Sequence, residues 1–176
     1  MKNSIGSSLL LYIVLILIGV IGSIYIANNN YSKAYRAKNS IISIINNDYM
    51  VNHGDKTIGL TKQYYTDCFN DSLNFPTYRS SCVSRISDTL NKMGYYMKVE
   101  EKSVCNKIME NKGYSELTYP KAMDEFEGYC IFKKNVSSKS YYYIIVTFNH
   151  MNIKAFNLGS LYKSPVYGQT RVYNIK

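Results

Sequence analysis

Leu9–Ala27, LLLYIVLILIGVIGSIYIA, decides the architecture. The stretch carries no charge. As a helix rising ~1.5 Å per residue it extends ~28 Å, which matches a hydrocarbon core ~30 Å thick. Only two Tyr, two Gly and one Ser interrupt the aliphatic run. A helix in lipid satisfies its own backbone hydrogen bonds, so helix is the expected conformation. A cleaved secretory signal would have a shorter apolar core and a small-residue cleavage site. Here Ala27 is followed by Asn28-Asn29-Asn30. A buried helix of a soluble domain would show a polar face, and this one shows none. The reading is a retained transmembrane anchor, with everything from Asn28 onward held beside a membrane.

The pattern continues past the anchor. Tyr31, Ala34, Tyr35, Ala37, Ile41, Ile42, Ile44 and Ile45 keep an i, i+3, i+4 rhythm, with Lys33, Arg36 and Lys38 between them. No Pro or Gly interrupts the run from Ser23 to His53. The helix is expected to leave the membrane as an amphipathic rod reaching about Asn47. Asn28-Asn29-Asn30 is its weakest point, because Asn is a poor helix former. Gly54-Asp55 is the first stop signal. The apolar stripe needs a cover, either the chain's own sheet or the helix of another copy.

The chain beyond this rod has the size of one compact domain. Residues 55–81 read as loop and irregular structure containing Pro76. Val83, Ile86, Leu90 and Met93 mark one face of a helix, with Ser80 or Ser81 as its N-cap and Gly94 as its stop. Tyr95–Val99 reads as a strand, and a short helix over Ser103–Asn111 ends at Gly113. Residues 114–128 read as an acidic loop. The last third turns to β: Tyr129–Lys133, Ser140–Phe148, Ile153–Leu158 and Val166–Ile175 are rich in aromatic and β-branched residues. Val136–Lys139 reads as a hairpin turn, and Gly168 as a bulge or turn. The expected fold class is α+β: a long N-terminal helix, transmembrane then amphipathic, packed against a C-terminal antiparallel β-sheet head. The expected divisions are a leader at 1–6, the membrane helix at 7–27, its extension at 28–53 and the head at 54–176.

Four cysteines, Cys68, Cys82, Cys105 and Cys130, lie on one side of the anchor. No C-x-x-C spacing occurs and neither His completes a ligand set, so zinc is not expected. An even count in a small tethered domain favours disulfides in an oxidising compartment. Three pairings can be drawn. Cys68–Cys82 with Cys105–Cys130 is preferred because both close short loops; four reduced, buried thiols are the alternative. Lys33, Arg36 and Lys38 after the anchor, against Lys2 before it, weigh slightly toward a cytoplasmic head. The very short N-terminus and the cysteines weigh the other way, and the head is placed outside.

The net charge is +9, with 19 Tyr and no Trp. The Lys and Arg residues are scattered, so a solvated basic surface explains them and nucleic acid is not an expected partner. Catalytic constellations are missing. His53 at the end of the long helix and His150 in a loop after a strand have no Ser, Cys or carboxylate at informative spacing. Asp124, Glu125 and Glu127 lack the spacing of a calcium loop. No phosphate-binding or dinucleotide glycine motif occurs. No cofactor, metal or catalytic residue is assigned, and the chain is not expected to be an enzyme. Tyr141-Tyr142-Tyr143 beside Lys139 has the residues to stack bases or sugars, but alternation within a strand accounts for them as sheet faces.

A short basic leader, Met1–Gly6 (MKNSIG), an apolar helix starting at once, an unbroken amphipathic extension and a cysteine-bearing α+β head resemble a type IV pilin or pseudopilin. The subtype it resembles most is the Tad-type minor pseudopilin of low-GC bacteria. Val146-Thr147-Phe148, Asn157-Leu158-Gly159 and Pro165-Val166-Tyr167-Gly168-Gln169-Thr170 resemble the closing strands of such proteins. The resemblance implies cleavage by a prepilin peptidase between Gly6 and Ser7. It also implies apolar helices bundled with other pilin-like subunits or with copies of this chain, and a head facing outward. Family members usually carry Glu five residues after the cut, which pairs with a neighbour's amino terminus. Counting from Ser7, that position here is Leu11. A carboxylate in lipid needs such a partner, and without the Glu this chain lacks the usual recruiting contact. Some tip or minor pseudopilins lack the Glu too, so the resemblance implies a minor subunit rather than a major one. The alternative is a single-pass, signal-anchored surface protein whose head binds a cell-wall polymer or a protein.

Overall fold

A computed structural model of the chain describes residues 2–53, 68–69, 76–95, 103–119, 128–150 and 163–174. Helix α1 runs without interruption from Lys2 to His53. It passes straight through Asn28-Asn29-Asn30 and ends six residues beyond the expected Asn47. Three Asn in a row lower local propensity, but each costs only a few tenths of a kcal/mol, too little to break a helix held by its neighbours on both sides.

Helix α2 spans Pro76–Lys92 and α3 spans Ser103–Lys112. The start of α2 corrects the expected N-cap at Ser80 or Ser81. Pro76 opens the helix, where its fixed φ is favourable and its missing N–H has no partner to lose. Gly94 and Gly113 follow the two helices with φ of 66° and 62°, the left-handed conformation that ends a helix without steric cost.

Five strands complete the described chain. β1 is Glu116–Tyr119, β2 Tyr129–Ser137, β3 Ser140–His150, β4 Lys163–Gln169 and β5 Tyr173–Asn174. All pairings are antiparallel, in the order β1-β2-β3-β4, with β5 also on β3. The fold is therefore α+β, a long apolar N-terminal helix with an antiparallel sheet. β1 corrects the loop expected over 114–128: four residues gain a ladder with β2 that nothing in their own pattern announces. His150 is the last residue of β3 and does not lie in a loop.

The single run expected over Val166–Ile175 is two strands. β4 pairs regularly through Ile145↔Gly168 and Ile144↔Gln169, and β5 resumes at Tyr141↔Tyr173 one residue out of step. The irregularity therefore lies after Gln169, not at Gly168. Thr170 bridges it: its N–H donates to the Tyr143 carbonyl at 2.9 Å, and its hydroxyl accepts from the Tyr143 N–H at 3.0 Å.

Each face of the sheet carries a packed core. Tyr129, Ile131, Tyr141, Tyr143, Ile145 and Val166 face α1 and α2, joining Ala34, Ala37, Ile41, Ile45, Cys82, Ile86 and Leu90 in one core. The alternate residues Cys130, Phe132, Ile144, Val146 and Phe148 form a second core with Cys105, Val104, Ile108 and Met109 of α3. Two-residue alternation in β2 and β3 thus divides the strands between two helical layers. Of the strand expected over Tyr95–Val99, Tyr95 is described and belongs to no strand. The rest of it, Gly54-Asp55, the strand expected over Ile153–Leu158, and Asp124, Glu125 and Glu127 lie outside the described residues.

Candidate functional site

Helix α1 has two chemically different halves. From Leu9 to Ile26 every aliphatic residue is exposed, for example Leu10 and Ile21 at 65%. The most apolar window within Ser8–Asn47 has mean hydropathy 2.8 and is wholly unburied. By length and composition this segment fits a transmembrane helix. Gly19, Gly22 and Ser23 form a small-residue notch on it, and the Ser23 hydroxyl donates back to the Gly19 carbonyl at 2.8 Å, which gives that hydroxyl a partner within its own helix.

The second half is seated on the sheet. Ala34, Ala37 and Ile41 are fully buried and Ile45 nearly so. The two alanines let a strand approach closely: the Thr147 hydroxyl on β3 donates to the Ala34 carbonyl at 2.8 Å. Lys38 is 8% exposed, with its Nζ 3.9 Å from the Tyr35 ring centre. Its charge is held at an aromatic face while its stem covers the sheet. Further along, Asn46 accepts from the Tyr173 hydroxyl at 2.7 Å and, through its carbonyl, from Arg171 at 3.2 Å. Ala34 lies seven residues past Ala27, ~10 Å along the axis, so the head starts immediately above the apolar segment.

Two disulfides close the head: Cys68–Cys82 and Cys105–Cys130, with Cα atoms 5.8 and 6.0 Å apart. The first ties the segment before α2 into the α1-facing core. The second clamps α3 to β2 in the other core. Among the described residues no cysteine is free, and no group of three or more His, Cys, Asp or Glu could hold a metal.

The opposite face of the sheet carries an open groove of about 440 Å³ where α3 ends. Ile144 forms its floor. Tyr142 and Lys134, directly opposed on β3 and β2, form one side; Tyr167 and Gln169 of β4 form the other. Gly113 turns the chain so that Lys112 and Tyr114 close the end, and the Tyr114 ring packs 5.0 Å from Phe132. Desolvation, then the nearby Tyr167 and Tyr142 phenols, push the Tyr114 hydroxyl up from its ordinary value. Lys112 Nζ stands 5.8 Å from the Tyr167 ring centre.

No family model, curated protein or solved structure matches this chain.

The residues singled out from sequence fall in separate places. Gly6 and Ser7 lie in the first turns of α1. His53 and His150 end α1 and β3. The Tyr triplet divides as alternation requires: Tyr141 and Tyr143 join the core under α1, and Tyr142 faces the groove. Lys112, Tyr114, Lys134 and Tyr167 were not legible as a group. Only the side of the sheet taken by each strand residue could have found them, and that needs the register.

Proposed function

We propose that the chain is a single-pass, membrane-anchored structural subunit of pilin-like type. Its apolar helix packs against related helices or other copies, and its disulfide-closed head stands outside the membrane. The observation that carries this reading is the single helix Lys2–His53, exposed and apolar from Leu9 to Ile26 and buried under the sheet from Ala34. A plain tether needs no rigid joint between anchor and head. A subunit that positions its head within an assembly does. The Gly19–Gly22 notch allows close backbone approach by a neighbouring helix, and the disulfides favour an oxidising exterior over the cytoplasm. On this reading the role is structural and not catalytic.

Intact-mass analysis of chain purified from native membranes tests it. Loss of Met1–Gly6 with Ser7 as the new terminus is expected, and Gly6→Val is expected to block that cut. Cysteine crosslinking at Ile16 in the same membranes should give adducts with itself or with related subunits. An intact leader and an exclusively uncrosslinked chain would leave the second reading, a signal-anchored surface protein. Leu11 favours that alternative, because the usual recruiting carboxylate is not there.

A further inference from the structure

The α3 face of the sheet is half covered. α3 packs its Ile108 and Met109 over the second core and stops at Lys112. Beyond it, the β-ladder places Tyr142 and Ile144 on one strand and Tyr167 and Gln169 on the next around an open cleft. Its volume of about 440 Å³ lies within the range of small-ligand clefts.

The lining is informative in three respects. Tyr167 is 40% exposed and Tyr142 half-buried, so two phenol rings offer flat apolar faces with polar rims. The electron-rich ring face attracts the positively polarised C–H groups of a saccharide. Three phenols and the Gln169 amide both donate and accept, which suits a ligand with many hydroxyls. Two cations, Lys112 and Lys134, stand at the cleft, and among the described residues that line it there is no carboxylate. A neutral sugar needs neither cation. A purely ionic ligand needs no aromatic platform.

We propose that this groove binds an anionic saccharide unit, a sugar ring bearing a carboxylate or phosphate, laid on Tyr142 and Tyr167 with its acidic group met by Lys112 and Lys134. The site is independent of either reading of the helix, since every group that builds it belongs to the head. Nucleic acid shares the aromatic and cationic chemistry. It needs a basic track along several phosphates, however, and this cleft offers two cations.

The test is calorimetric titration of the full chain in polyoxyethylene micelles, because sugar-headed detergents would compete. Trigalacturonate, glucose 6-phosphate, neutral maltotriose, inorganic phosphate and a thymidine oligonucleotide are the probes. Saturable binding of at least one acidic sugar is expected, about tenfold tighter than maltotriose and weakened by added salt. Which acidic sugar binds distinguishes a carboxylated from a phosphorylated source. Tyr167→Ala and Lys134→Gln should each weaken it about tenfold. Lys139→Gln, the same charge loss at the exposed β2–β3 turn, should leave it unchanged. Matching thermal unfolding of the variants establishes that they fold. The proposal is overturned if neither acidic sugar binds saturably. It is equally overturned if maltotriose binds as well, if inorganic phosphate or the oligonucleotide binds more tightly, or if Lys139→Gln is as damaging as Lys134→Gln.

Discussion

Gly168 and Lys38 share one space: a Cβ on Gly168 would lie 2.6 Å from Lys38 Cδ and 3.0 Å from its Cγ, and 2.8 Å from Ile42 Cδ1. β4 thus lies against α1 through a notch that the missing side chain creates, filled by the aliphatic stem of a buried lysine. The demand on Gly168 is room, since its strand pairing is regular on both sides.

Gly168→Ala is therefore expected to destabilise the head by about 1–3 kcal/mol, as overpacking does. Adding Lys38→Ala should recover part of that loss, with a coupling of about 1 kcal/mol. Chemical unfolding in uncharged micelles, followed by tyrosine near-ultraviolet dichroism, measures the cycle. Strict additivity would show that the two residues do not meet.

Tyr95 ties β3 to the segment before β2. Its hydroxyl lies 2.8 Å from the Gly128 carbonyl and 3.1 Å from that of Phe148, and accepts from the Phe148 N–H at 2.9 Å. Tyr95→Phe leaves those buried groups short of a partner and should cost about 1–3 kcal/mol. Burial pushes this phenol well above its ordinary value of 10.0, while the Phe148 N–H pulls weakly the other way. The folded state holds the proton more tightly than the unfolded one. The contribution is therefore complete below about pH 10 and is lost as pH rises toward the folded-state value. Alkaline unfolding should separate the two proteins: the gap between wild type and Tyr95→Phe narrows above pH 10 and stays constant below it.

Each disulfide is expected to stabilise the head by about 3 kcal/mol, the Cys105–Cys130 bridge slightly more because it closes the longer loop, a separation of 25 against 14. Paired Cys→Ser variants, compared by thermal unfolding under non-reducing conditions, give the ranking. Maleimide should label the native, unreduced chain at none of the four positions. Quantitative labelling of all four would remove the argument for an oxidising exterior.

A continuous α1 fixes the distance between its halves. Spin labels at Val20→Cys and Asn39→Cys, both exposed and 19 residues apart, should give one narrow distribution near ~28 Å plus the label arms. A broad distribution would place a hinge at Asn28-Asn29-Asn30, and the pilin-like proposal would lose its support.

Most of the large-scale architecture was legible because it depends on local pattern. An uncharged aliphatic run, a 3.6-residue stripe continuing to Ile45, the positions of Gly94 and Gly113 as helix stops and the alternation in 129–148 are each properties of neighbouring residues. Short stretches without strong pattern were not. β1 exists only because β2 offers an edge, and the break after Gln169 arises because β3 is long enough to pair with two strands.

The sequence by itself determined that an apolar helix leads into an amphipathic one and that an antiparallel sheet closes the chain, because hydrophobic periodicity is written residue by residue. Whether that sheet or another copy's helix covers the amphipathic stripe it left open. Tertiary structure decided which faces meet. Only the strand register puts Thr147 beneath Ala34, gives Gly168 its meaning as a notch for Lys38, and turns Tyr142 and Tyr167 toward the same cleft as Lys134. Those relationships join residues up to 130 positions apart, and a contact across that distance is fixed by packing and pairing, which no local pattern encodes.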